Sequence, residues 1–325
     1  MKAAIIVEQQ GRRGIAVADI PEPVPGPGEV RVRVRAGALN RADLALNPNH
    51  RQTAAAQAVP VAGMEFAGEI EALGPHVRRW QVGDRVMGMS AGAFAEACLC
   101  DARLLLPAPE GVPFTEAATL PVALQTMHDA IVTNGRLAAG ETVLVHGAAS
   151  GVGMAGIQIA KLMGAGRVIG SSRSDARLAA LRAFGMDDGI ELSGDWVGGL
   201  ERLAGAAGIP LAIDMVAGTT VNGLMRAAAV RGRIVNVGRL AGMHGEFDFD
   251  LHAKKRIDYI GVTFRTRSTE EIETLIARMN EDLWEHVDAG RIRVPVDRVF
   301  TLDDVVAAFA YMRSNAHLGK VVLQI

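Results

Sequence analysis

The sequence predicts an α/β protein of two units: a β-rich unit assembled from both ends of the chain and, inserted between its parts, a doubly wound parallel sheet. Three observations carry this. Roughly the first 110 residues are short apolar segments cut by Gly, Pro and Asp, which is strand-and-turn texture. From Glu116 onward strand-like and helix-like runs alternate in units of about 25 residues, the pattern of parallel βα repeats. The tail Gly319-Lys320-Val321-Val322-Leu323 returns to the first texture.

Each segment has its own reason. Val30, Val32 and Val34 alternate with Arg31, Arg33 and Arg35, so a strand over 29–35 buries one face and wets the other. Upstream, Pro21, Pro23, Pro25 and Pro27 with Gly26 and Gly28 can hold only an extended approach and a turn. Further short strands are expected over 63–73, 84–89 and 93–100. A helix is expected over 116–130. In the middle of the chain 142–146, 167–171, 211–214 and 233–237 read as strands, and 152–163, 176–184 and 221–229 as helices. A strand over 258–262 and a helix over 269–289 follow. The domains this implies are 1–118 with 264–325, and 119–263, with a cleft between them.

Composition narrows the function. In 325 residues, 49% are hydrophobic and 22% charged, enough for full cores. The 34 Lys and Arg nearly balance 36 Asp and Glu, too even for a nucleic-acid binder. Two Cys exclude a disulfide framework and any lobe built on four thiolates. The N-terminus lacks the apolar core of an export leader, and no long uncharged apolar run offers a membrane span, so a cytoplasmic protein with no nucleic-acid or membrane partner is expected.

The run from Thr142 to Gly156 reads as strand, small-residue turn and helix start, and Gly151-x-Gly153-x-x-Gly156 matches the dinucleotide fingerprint. Small residues there let the backbone approach a pyrophosphate, whose charge the helix N-terminus favours. After the next strand no acid stands ready for a ribose 2′-hydroxyl. Instead Arg173 and Arg177, with Ser171, Ser172 and Ser174, make a guanidinium and hydroxyl set suited to the 2′-phosphate of NADPH. Asp175 reads as a helix cap or a partner of Arg177. Gly88-Met89-Ser90-Ala91-Gly92 matches the hydrolase nucleophile motif, but a strand rather than a helix is expected after it.

Four further stretches complete the pattern: Gly37-Ala38-Leu39-Asn40-Arg41-Ala42-Asp43-Leu44, Gly63-Met64-Glu65-Phe66-Ala67-Gly68, Val82-Gly83-Asp84-Arg85-Val86 and the tail at Gly319. With the Gly-rich turn, in this order, they make the whole chain resemble the medium-chain dehydrogenase/reductase superfamily, in its zinc-independent, ζ-crystallin-like quinone oxidoreductase branch. The resemblance implies a GroES-like domain over 1–118 and 264–325, a Rossmann NADP-binding domain over 119–263, an active site between them and a homodimer. Dimerisation through the strand near 258–262 is expected.

Zinc-dependent relatives carry Cys at the position of Asn40 and His at that of Met64; neither residue present here is a zinc ligand, and no metal is expected. Cys98 and Cys100 share one face of a strand and read as buried small residues, and Glu65 as half of a structural salt bridge. Carried over, the resemblance places Asn40 beside the nicotinamide ribose and the substrate, with Arg41 and Asp43 holding its loop. Thr126 lies near the nicotinamide carboxamide, Ser150, Gly151, Val152 and Gly153 at the pyrophosphate, and Gly238 beside the nicotinamide. Ser174 and Arg177 match the family's 2′-phosphate contacts, beside Ser172 and Arg173 of the set read from the residues above; Phe264 and Asn315 lie at the domain junction. Many relatives carry two tyrosines that this chain lacks, at positions near His50 and Leu192. The expected chemistry is hydride transfer from NADPH to a quinone or an α,β-unsaturated carbonyl, with Asn40 or His50 as the donor to the acceptor oxygen. Alternatives are an NADPH-binding protein of ζ-crystallin type with little turnover, and an alcohol or aldehyde dehydrogenase.

Overall fold

A computed structural model describes residues 1–9, 11–46 and 59–325. The chain divides into Met1–Val122 with Arg267–Ile325, and Ala123–Thr266, a few residues beyond the divisions at 118/119 and 263/264 read from sequence texture. In chain order the elements are β1 (Lys2–Gln9), β2 (Arg12–Asp19), β3 (Glu29–Ala38), β4 (Glu65–Leu73), β5 (Arg85–Met89), β6 (Ala97–Asp101), β7 (Leu106–Pro107), α1 (Phe114–Ala117) and α2 (Pro121–His128). Then come β8 (Thr142–His146), α3 (Gly151–Leu162), β9 (Arg167–Ser172), α4 (Asp175–Leu181), β10 (Asp188–Glu191), α5 (Trp196–Ala204) and β11 (Ile209–Asp214). α6 (Val221–Ala227), β12 (Ala228–Asn236), α7 (Phe249–Lys255) and β13 (Asp258–Gly261) precede α8 (Thr269–Asp288), β14 (Val296–Thr301), α9 (Val305–Ser314) and β15 (Lys320–Gln324).

The first unit is GroES-like. Its main sheet runs β14-β15-β3-β4-β5-β7 with β6 also on β3, and β1 and β2 form a separate antiparallel hairpin. β3 behaves as its alternation predicts. Val30, Val32 and Val34 are buried, while Arg31 and Arg35 pair with Glu71 at 2.6 Å and Glu69 at 2.7 Å across the β3–β4 ladder. Beneath lies Phe94, edge-on to Phe309. Gly63 makes room for it: a Cβ there would come within 2.5 Å of the Phe94 ring. Cys98 and Cys100 are buried thiols on β6, not joined in a disulfide.

The second unit is a Rossmann-type sheet of six parallel strands in the order β10-β9-β8-β11-β12-β13. The chain winds outward from β8 to β10, returns beside β8 as β11, and winds outward again to β13. The switch point lies at the C-terminal ends of β8 and β11, where such sheets bind ligands.

Several boundaries differ from expectation. The helix expected over 116–130 is two, because Pro121 has no N–H to continue a helix and instead opens α2. The strand expected from Ala93 starts at Ala97, since 93–95 bonds to the first hairpin and the turn at Ala62 and Gly63, and Glu96 reaches β3 only through its carbonyl, which accepts the Val34 N–H. No periodicity marks β1, β2, β7, β10, β14, α5, α7 or α9. Among the described residues no helix is long and apolar enough to cross a membrane.

Candidate active site

In the second unit the site is built from the strand-to-helix turn after β8. Gly147 has φ +91°, a conformation that glycine takes without strain. The literal fingerprint at Gly151, Gly153 and Gly156 therefore sits one step further on, wholly inside α3. Ser150 caps that helix, its hydroxyl accepting the Gly153 N–H at 3.0 Å. The N–H groups of Gly151 and Val152, at the first two helical positions, have no carbonyl to reach within the helix and are left for a ligand. Gly153 could carry no side chain, since a Cβ would stand 2.6 Å from the Ala148 carbonyl oxygen, and at Gly156 one would meet Met127 Sδ at 3.0 Å. The turn fits a dinucleotide pyrophosphate.

Under the turn lies a buried network that fixes its first residue. The Gly147 N–H donates to Ser171 Oγ at 2.9 Å, and Ser171 Oγ lies 2.8 Å from His146 Nδ1. His146 Nε2 lies 3.1 Å from Thr220 Oγ1, whose own proton goes to the Ala217 carbonyl at 2.9 Å. Thr220 must therefore accept, so Nε2 carries the proton and Nδ1 accepts from Ser171. Burial lowers His146 to about 4, against the pull of Asp214, and the ring stays neutral. Ser171 is thus spent inside the fold, which corrects its place in the 2′-phosphate set.

The remaining members of that set follow β9. Ser172 is buried, Arg173 exposed, and Ser174 caps α4 by accepting the Arg177 N–H at 3.5 Å. The cap is Ser174 and not Asp175, which occupies the first helical position. Gly238 follows β12; its N–H and that of Val237 donate to the Asp214 carbonyl at 3.1 and 2.7 Å, and a Cβ there would lie 2.5 Å from the Met215 carbonyl oxygen. Thr126 is half-buried on α2, beside Gln125, whose two polar side-chain atoms are buried without a partner among the described residues. Asp214 Oδ2 is in the same condition, while Oδ1 accepts the Val216 and Ala217 N–H groups at 2.9 Å each. Phe264 is half-buried beyond β13.

In the first unit Asn40, Asp43, Glu65 and Lys320 form one buried cluster. The Asn40 backbone N–H donates to Asp43 Oδ2 at 2.7 Å. Its side-chain Nδ2 donates to Glu65 Oε1 at 2.7 Å, and its Oδ1 accepts from Lys320 Nζ at 2.7 Å. Lys320 also forms a salt bridge with Glu65 Oε1, and Glu65 Oε2 accepts the Val122 N–H at 2.9 Å. Glu65 is thus half of a buried ion pair. Burial raises Asp43 to about 7; the Glu65 charge adds to the rise, and the Asn40 N–H and Lys320 oppose it. Arg41 reaches from this loop to the end of α9, donating to the Met312 carbonyl at 3.4 Å and to Asn315 Oδ1. His50 lies outside the described residues. Glu65 is legible in the sequence as half of a salt bridge, but its partner is not; the signal for Lys320 is a lone charge leading into the apolar 321–323.

Zinc does not fit this cluster. The ammonium of Lys320 already sits on Asn40 Oδ1 and Glu65, and Met64 offers only a thioether. Among the described residues no three His, Cys, Asp or Glu side chains are arranged to hold a metal ion. The hydrolase motif also fails on geometry: Ser90 follows β5, is buried, and donates to the Leu99 carbonyl at 2.5 Å.

Residues 26–110 match the family described as alcohol dehydrogenase GroES-like domain, and 151–281 that described as zinc-binding dehydrogenase. Quinone oxidoreductase-like protein 2 of Rattus norvegicus is 32% identical over 265 residues, 81% of this chain and 75% of that one. A spectinabilin polyketide synthase system protein of Streptomyces orinoci is 33% identical over 266 residues, 80% of this chain; the match spans only 12% of that much longer protein. Among solved structures, a mycobacterial protein complexed with NADPH superposes with TM-score 0.86 at 28% identity, covering 100% of both chains. An NAD-dependent alcohol dehydrogenase does so with TM-score 0.85 at 28% identity, again over 100% of both.

Proposed function

The chain belongs to the medium-chain dehydrogenase/reductase superfamily, in its quinone oxidoreductase-like branch, and on that premise we propose that it is a zinc-independent reductase carrying hydride from NADPH to a quinone or an α,β-unsaturated carbonyl. The observation that carries the cofactor choice is the segment after β9, where Arg173 stands in the loop and Arg177 in the first turn of α4, and no acid precedes Asp175. A guanidinium there favours a 2′-phosphate, and a carboxylate would favour the free hydroxyl. The acceptor class is supported by the quinone oxidoreductase-like relatives and by a cluster whose positive charge is a lysine, so alcohol chemistry that needs a metal to polarise oxygen has no ligands here.

NADPH, when bound, supplies the hydride. The chain holds it: the Gly151 and Val152 N–H groups take the pyrophosphate, Arg173, Arg177 and the Ser172–Ser174 loop the 2′-phosphate, and Thr126 and Gly238 the nicotinamide end. Asn40 orients the ribose and the acceptor. A homodimer paired along β13, the outer strand of the second sheet, belongs to the same reading.

The test is an anaerobic acceptor panel followed at 340 nm, with and without a chelator, set beside alcohol oxidation with NADP⁺. Quinone- or enone-dependent oxidation of NADPH, unaffected by chelator and at least about tenfold more efficient than with NADH (about 1.4 kcal/mol), is expected. Equal efficiency with NADH, chelator-sensitive turnover, or alcohol oxidation alone would each overturn it. NADPH binding without turnover on any acceptor would favour the ζ-crystallin-type alternative.

A further inference from the structure

The carboxamide of Asn40 is held at both ends by opposite charges. Lys320 Nζ donates to Oδ1 at 2.7 Å, and Nδ2 donates to Glu65 Oε1 at 2.7 Å. An asparagine amide is nearly symmetric in shape, so packing alone does not choose between its two orientations. Here the charges choose. Turned by 180°, the NH₂ group would face an ammonium and the carbonyl oxygen would face a carboxylate, so two charge-assisted hydrogen bonds would be exchanged for two repulsions. The pair is also dry: the Lys320 and Glu65 side chains are 3% and 0% exposed, so water can replace neither partner. Lys320 itself is aimed by its backbone, whose N–H donates to the Pro295 carbonyl at 2.9 Å. Gly319 leads into it with φ +107°, and a Cβ there would lie 2.3 Å from the same carbonyl.

Counting the bonds shows what is left. One Nδ2 hydrogen goes to Glu65, and the second has only the Ala38 carbonyl at 3.4 Å, a long contact. One Oδ1 lone pair takes the lysine. Asn40 therefore keeps one N–H, held only by that long contact, for another molecule, in a direction set by the ion pair.

We propose that Lys320 is the positioning residue for Asn40, fixing which face of the carboxamide is the donor and which the acceptor, with Glu65 as its counter-charge. This rests on the reading that Asn40 works at the reacting centre. Lys320 touches neither cofactor nor substrate in this proposal; it acts through the amide.

Two readouts test it, in the full chain with NADPH. The first is structural: the ¹⁵N side-chain amide signals of Asn40, identified by their loss in Asn40→Ala, should move or collapse in Lys320→Met and persist in Lys320→Arg. The second is kinetic. Lys320→Met should lower kcat with the best acceptor by at least about tenfold while the Kd for NADPH changes less than about twofold, and Lys320→Arg should recover much of the loss. In the Asn40→Ala background, Lys320→Met should cost no more than about a further twofold. Should Lys320→Met fail to fold, the pair Lys320→Met with Glu65→Gln removes both buried charges and gives the same readouts. Unmoved Asn40 signals, or kinetic losses that multiply independently, overturn the proposal. Moved signals with full activity in Asn40→Ala would uphold Lys320 as the positioning residue and remove Asn40 from the reacting centre.

Discussion

Replacing Asp43 by Asn should make stability less sensitive to pH. Asp43 is 7% exposed, and its carboxyl, raised to about 7 by burial and by Glu65, has an unfolded value near 3.8. A carboxyl whose folded pKa lies above its unfolded one favours the folded state while protonated. Between pH 3.8 and about 7 the folded chain therefore binds the extra proton, and stability falls as pH rises. At about 1.4 kcal/mol per unit the whole span is worth about 4 kcal/mol, of which more than half falls between roughly pH 5 and 8. Asn at this position keeps an oxygen for the Asn40 N–H and cannot ionise. Relative to Asp43→Asn, the wild type should thus lose about 2 to 3 kcal/mol across that range. The assay is urea unfolding at several pH values, followed by Trp80 and Trp284 of the first unit with Trp196→Phe in both proteins. A difference flat from pH 5 to 8 would refute the reasoning. A wild type that loses ground to its variant only as pH falls below 3.8 would mean that Lys320 dominates and Asp43 is ionised throughout the higher range.

His146 gives the opposite slope. Its folded value of about 4 lies below its unfolded 6.5, so stability present above pH 6.5 is lost as pH falls through 4, about 3 kcal/mol in all; His146→Gln should flatten that acid limb in urea midpoints, and an unchanged limb would count against the neutral tautomer. Gly153→Ala should weaken NADPH binding at least about tenfold by fluorescence titration, because its Cβ would stand 2.6 Å from the Ala148 oxygen and the turn must shift. Arg173→Ala should raise KM for NADPH about tenfold and leave NADH nearly untouched; equal losses with both cofactors would make Arg173 a general electrostatic contact.

What the sequence made legible was local. The alternation of Val30, Val32 and Val34 is enough for β3, since one face of a pleated strand must be dry. The run through Gly147 and Ser150 declared both turn and helix, because cap and glycine act on their immediate neighbours. The turn glycine was nevertheless misplaced by the literal motif, which cannot see that Gly151 is already helical. Ser171 looked available for a phosphate, and only its nearness to His146 and Gly147 shows its hydroxyl engaged. The Asn40 loop was recognised by its motif, but its electrostatics depend on Lys320, which no periodicity or spacing connects to residues 40 and 65. Asp214 and Gln125 carry no motif, and their unpartnered buried atoms are properties of packing alone.

The ion pair at Asn40 also sets an order in time. Lys320 is 280 residues from Asn40 and 255 from Glu65, so at a synthesis rate of about 5–20 residues per second their partner leaves the ribosome roughly 13 to 50 s after Glu65 does. For that interval β3 and β4 have neither β15 beside β3 nor a cation for the Glu65 carboxylate, which has every reason to stay in water. The 123–266 unit, continuous in sequence and built of neighbouring βα turns, has all its parts by then and can close first. A chain stalled before Lys320 would hold an exposed strand edge and a carboxylate with nowhere to go, and such nascent chains are where chaperones should be found bound.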